Sequence, residues 1–163
     1  MSIEQEQERR AGSPEVFEAS WAWKGGGLAG LVATLVMGAA ITIVDLETLR
    51  LAIAGLYGFE GTLVAGWIAH LAHGTLFGVI FAAVLSDPGL YRVNEWVWKT
   101  VVAGVVYGLV LAVVGAGLLM PIWLGVAGVG MQLSPPNVTM PVLLWHVVYG
   151  IVLGGLFPFL ADR

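Results

Sequence analysis

Of the chain's 163 residues, 58% are hydrophobic and only 11% are charged, and the mean hydropathy is +0.88. Soluble domains carry about 25% charged residues, so composition excludes a water-soluble enzyme domain. Seven Lys and Arg set against eleven Asp and Glu form no basic patch for nucleic acid, and the lack of cysteine removes disulfides, thiolate metal sites, iron–sulfur clusters and cysteine catalysis.

Residues 1–20 are polar and acidic, with Glu4, Glu6, Glu8, Glu15 and Glu18 outnumbering Arg9 and Arg10. No apolar run starts near Met1, which argues against a secretory leader. The segment reads as a flexible, solvated cytoplasmic tail ahead of a membrane domain over 21–163. Four apolar stretches follow: Gly25 to Val44, Leu63 to Leu85, Thr100 to Leu119 and Met140 to Ala161. Each reaches the ~20 residues needed to cross the hydrocarbon core as a helix. Helices satisfy their own backbone hydrogen bonds where lipid cannot. Continuous rather than alternating apolarity argues against a β-barrel. The predicted fold is all-α, an integral-membrane four-helix bundle.

Basic residues set the expected orientation. Arg9, Arg10, Lys24, Arg92, Lys99 and Arg163 fall on one side of four spans, and Arg50 alone on the other. The positive-inside rule then places both termini in the cytoplasm of a multi-pass protein of the cell membrane. Trp21, Trp23, Trp96 and Trp98 are expected at the inner interface, and Trp67, Trp123 and Trp145 towards the outer one. Of the two outer connections, Asp45 to Arg50 reads as a short amphipathic helix with Asp45 as its N-cap. The other, Pro121 to Pro141, is a nearly uncharged loop rich in Gly and Pro.

The chain also matches itself. Trp23-Lys24 recurs as Trp98-Lys99, and Ala29 and Ala33 correspond to Gly104 and Gly108, at an offset of 75. His70, Gly74, Gly78 and Phe81 recur as His146, Gly150, Gly154 and Phe157 at an offset of 76. This predicts two repeated transmembrane hairpins, about 21–87 and 96–162, related by an axis along the membrane normal. His70 and His146 then lie at one depth, seven or eight residues into their spans.

Trp67-x2-His70, Met120-Pro121 and Leu144-x-His146-x2-Tyr149-Gly150-x3-Gly154 resemble an uncharacterised family of small four-helix prokaryotic membrane proteins. That family occurs in halophilic archaea and bacteria, and some members carry the name histidine kinase. The resemblance covers roughly Gly25 to Phe159. It implies the four-helix fold and no particular activity; a kinase is excluded, since no ATP-binding domain fits in this length. The acidic tail and His73 depart from the pattern.

The three histidines are the ionisable side chains inside the spans, and such residues point to function. His70, Gly74 and Gly78 share one helix face at i, i+4, i+8, and His146, Gly150 and Gly154 repeat it. A glycine strip either lets helices approach closely or leaves a slot for a flat cofactor. The second option predicts His70 and His146 as the two metal ligands of a non-covalent haem b in an electron-transfer or redox-partner subunit. Phe77, Phe81, Leu153 and Phe157 would contact the porphyrin, and Tyr149 and His73 would hydrogen-bond a propionate or a quinone. The first option predicts a cofactor-free structural or accessory subunit. A small transporter or channel, formed as an oligomer, is the third reading. The expected partners are the lipid bilayer, a membrane redox partner or further copies of the chain. Met37, Met120, Met131 and Met140 lack the spacing of a copper site.

Overall fold

The computed structural model describes residues 16–87, 89–90, 93, 95–131 and 133–161, with side chains from residue 22 onward. The helices are α1 (Val16–Val44), α2 (Leu63–Leu85), α3 (Val97–Val110), α4 (Met120–Ala127) and α5 (Met140–Ala161). α3 runs without a break through a π-helical stretch, Leu111–Leu119, into α4. Four helical stretches are thus long and apolar enough to cross a bilayer: Ala22–Val44, Leu63–Leu85, Val97–Ala127 and Met140–Ala161. The protein is a multi-span membrane protein, with an all-α bundle. Arg9, Arg10, Arg92 and Arg163, on which much of the expected orientation rests, lie outside the described residues, as do residues 1–15 of the expected tail.

Two expectations need correcting at the boundaries. The first helix begins at Val16, inside the segment read as tail. The third span does not stop at Leu119 but continues to Ala127, so the loop expected from Pro121 is shorter at its start. Pro121 is no terminator here: its missing N–H leaves the carbonyl of Gly117, four residues back, without its helical donor, and the N–H of Asn137 bonds that carbonyl instead at 2.8 Å. The helix ends instead at Gly128, whose φ of 68° is the left-handed conformation that favours glycine.

Helix packing is uneven. α1 lies along both α2 and α5, and α3 lies along α5, whereas the backbones of α2 and α3, although consecutive, stay apart and are joined through Tyr107. The close contacts are made by glycine. A methyl group on Gly78 would drive into the backbone of Gly26 and Gly30, and one on Gly74 would overlap Thr34. A methyl on Gly150 would meet the backbone of Gly104, and one on Gly154 that of Thr100. Lipid tails are as apolar as the side chains, so helices associate through such close backbone approach and through interhelical hydrogen bonds.

The two ends differ. At the basic end stand Trp23-Lys24 and Trp96 to Lys99, each lysine lying over its neighbouring indole, 5.6 Å from the centroid of Trp23 and 6.0 Å from that of Trp98. Exposed Trp23, Trp96 and Trp98 fit the predicted aromatic belt at this end. At the opposite end the two connections fold onto each other as a cap. Asp45 accepts from the N–H and the hydroxyl of Thr48, at 3.4 and 2.8 Å, as an N-cap does. A π-helical turn, Thr48–Ile53, then packs Leu49 against Gly66 of α2. Glu60 accepts the N–H groups of Gly130 and Met131, at 3.0 and 3.2 Å. Ala52, Leu124 and Val129 form a small apolar core beneath.

Candidate functional site

Below the cap, the space between α1, α2, α5 and the third span is not filled. It forms a cavity of about 690 Å³, within the range of small-molecule sites. Each surrounding element contributes differently. α1 supplies Thr34, Met37 and Ile41; α2 supplies His70, His73, Gly74 and Phe77; α5 supplies Val142, Trp145, His146 and Tyr149. The π-helical stretch supplies Leu111, Gly115, Ala116 and Leu119, and the cap adds Tyr57, Met120 and Trp123 among others. Among the described residues no Asp, Glu, Lys or Arg lines it.

The cavity is where the helical winding changes. A π-turn carries an extra residue and widens the helix, and such turns are frequent at functional sites. In Leu111–Leu119 the wall facing the cavity is thin, since a Cβ on Gly115 would meet open space. The loosened winding is supported from outside: the N–H of Asn137 bonds the carbonyl of Gly117 at 2.8 Å.

All three histidines line this one cavity. His70 is 6% exposed, and its Nε2 has no hydrogen-bond partner. Trp67 stands edge-on to its ring with centroids 6.1 Å apart. His146 Nδ1 lies 2.8 Å from the carbonyl of Val142. A carbonyl only accepts, so Nδ1 carries the hydrogen and Nε2 keeps a lone pair in the neutral ring. His73 Nε2 lies 2.5 Å from the hydroxyl of Tyr57, in the cap. Among the described residues no group of three or more His, Cys, Asp or Glu is arranged to hold a metal ion.

The floor is built by two tyrosines. Tyr149 donates to the carbonyl of Gly74 at 2.7 Å and Tyr107 to that of Phe77 at 2.9 Å, which ties α2 to α5 and to α3. Below them Phe81 packs against Tyr107 and Phe157, each ring pair 5.4 Å apart, and closes the bundle.

These positions revise the porphyrin-slot geometry. Gly74, Gly78, Gly150 and Gly154 spend their missing side chains on helix packing, with Gly74 alone of the four also touching the cavity. Phe77 lines the cavity, but Phe81, Leu153 and Phe157 belong to the packed core. Tyr149 and His73 line it with their polar groups already engaged, by Gly74 and by Tyr57. Trp145, expected in an interfacial belt, is buried in the wall. The sequence reading passed over Thr34, Tyr57 and the π-helical wall. No periodic signal marks them, because the spans are apolar on every face. Met37 and Met120 line the cavity, whereas Met140 is exposed and outside it.

No family model, curated protein or solved structure matches this chain.

Proposed function

We propose that this chain is a membrane-embedded binding protein whose cavity takes a small, largely apolar ligand gripped by His70 and His146. The observation that carries the reading is the unpartnered Nε2 of His70 in the wall of an apolar cavity that His73 and His146 also line. A buried polar atom without a partner costs about 1–3 kcal/mol, and a ligand that engages it recovers that cost. Purification in mild detergent followed by solvent extraction and mass spectrometry tests the reading. A lipid-soluble compound at near-equal molar amounts is expected with wild type and lost from His70→Phe. A folded wild-type protein free of any such compound, even after incubation with membrane extract, would instead favour the cofactor-free accessory subunit.

Haem b is the second reading, and the tautomer of His146 favours it. An imidazole whose Nδ1–H is held by a backbone carbonyl presents its Nε2 lone pair to a metal. With His70 as the other ligand, the group would supply one-electron transfer, and the chain's own residues would exclude water from it. The porphyrin would have to lie in the cavity itself, not between the glycine strips. A Soret band that shifts on reduction and disappears in His70→Ala and in His146→Ala is the expected signature. A transport path through one copy has less support, because Phe81, Tyr107 and Phe157 fill the bundle below the cavity.

We also propose that the two hairpins are a repeat. Gly74 meets Gly30 as Gly150 meets Gly104, and Gly78 meets Gly26 as Gly154 meets Thr100. The packing register between α1 and α3 is therefore 74 rather than the 75 of the Trp-Lys match. The cytoplasmic placing of both termini follows from the basic residues, and membership of the small four-helix family from the motifs around His70 and His146.

A further inference from the structure

We infer that the polar end of the cavity's ligand is a hydrogen-bond donor, a hydroxyl on a long-chain alcohol or phenol of the lipid phase. We infer further that it enters sideways, between α2 and the third span. This rests on the reading of the cavity as a ligand site and names the ligand's chemical class.

The first argument is the proton inventory of the imidazoles. His146 donates Nδ1–H to Val142, so its Nε2 accepts. The buried Nε2 of His70 lines the same cavity without a partner. A hydroxyl, which both donates and accepts, serves that nitrogen in either tautomer, whereas a carbonyl or ether oxygen serves it in one only. The nitrogen that His146 offers is an acceptor, and a ligand bearing only carbonyl or ether oxygens would leave it unsatisfied. The third imidazole shows the complementary chemistry within the chain, since His73 Nε2 already meets a phenol, that of Tyr57. The protein supplies a hydroxyl to His73 and none to His70.

The second argument is the rim. The exposed lining residues are Tyr57, Leu119, Ile122, Trp123 and Val126, apolar or aromatic throughout. Trp123 donates its indole N–H to the carbonyl of Leu56 at 2.9 Å, so a strap from the third span to the cap crosses the capped side of the cavity. Between that strap and Tyr107, whose hydroxyl bonds the carbonyl of Phe77, the backbones of α2 and the third span stay apart, and Gly115 faces open space. An apolar opening at this level admits a molecule from lipid rather than from water.

The test uses 4-octylphenol and its methyl ether, two probes of nearly equal shape of which one lacks the donor. Binding to the full chain in nanodiscs is measured by titration calorimetry. Wild type is expected to bind the phenol about tenfold more tightly than the ether, the worth of one hydrogen bond. His146→Phe, which removes the acceptor, should erase that preference while still binding both. Equal affinity of wild type for the two probes overturns the donor inference and leaves the ligand site standing. Failure of both probes to bind overturns the ligand-site reading itself. The wild-type ratio needs no variant, so a misfolded His146→Phe would not remove the test. Gly115→Trp places a bulky ring across that opening and is expected to slow phenol association, followed by stopped-flow fluorescence, about tenfold with the fold intact. An unchanged association rate in that variant overturns the sideways route.

Discussion

The two halves of the bundle are made from the same kinds of residue and end up unlike. Towards the basic end, Phe81, Tyr107 and Phe157 interlock, and glycine brings α1 to α2 and α3 to α5. Towards the capped end, the helices enclose a space lined by three imidazoles. The difference does not come from hydrophobicity, which is high throughout. It comes from side-chain volume and from helical winding: large rings fill the first half, and the π-helical Leu111–Leu119 holds the wall of the second away. In a membrane, where lipid competes equally for apolar surface, packing alone decides which interior is solid.

Substitutions should separate these halves. The largest effect is expected for Phe157→Ala, which empties the fully packed side and should cost about 3–5 kcal/mol in reversible unfolding in detergent. Gly78→Val comes next at about 1–3 kcal/mol, because its side chain would strike the backbone of Gly26; a Gly115→Ala control, facing open space, should cost nothing measurable. Glu60→Ala removes the acceptor that joins the two connections and should cost about 1 kcal/mol. Limited proteolysis should then cut residues 128–139 faster than in wild type. Tyr149→Phe loses one interhelical bond, worth about 0.6 kcal/mol. Leu119→Ala, at the exposed rim, should stay within about 0.5 kcal/mol of wild type. A Leu119→Ala loss as large as that of Phe157→Ala would mean that the open half is packed after all.

What could be read in advance follows the same division. α2 and α5 match the predicted spans from first residue to last, since uncharged length is a composition signal. Asp45 caps its helix as its position suggested. The glycine strips were visible at His70-x3-Gly74-x3-Gly78, but their direction was not: with apolar residues all round, no face announces the core. The extension of the third span was hidden by Pro121, which ends a helix unless another donor takes the carbonyl four residues back, as Asn137 does for Gly117. Nothing in Leu111 to Leu119 distinguishes π from α winding, because both read as unbroken apolar sequence. His70 and His146 stood out as ionisable groups in lipid. Only the coordinates show that His73 and Tyr57 meet, because that pairing depends on a connection doubling back over the helix ends.

The π-helical stretch also makes the chain sensitive to length in an unusual way. Each loosened turn holds a residue that an ordinary turn would not. Deleting one residue between Leu111 and Leu119 would tighten a turn and narrow the helix at the cavity wall, while the residues after it kept roughly their facing. The wall at Gly115 and Ala116 would be redrawn while His70 and His73, which precede the stretch, stayed where they are. An indel there, neutral for spanning the bilayer, would retune what the protein admits.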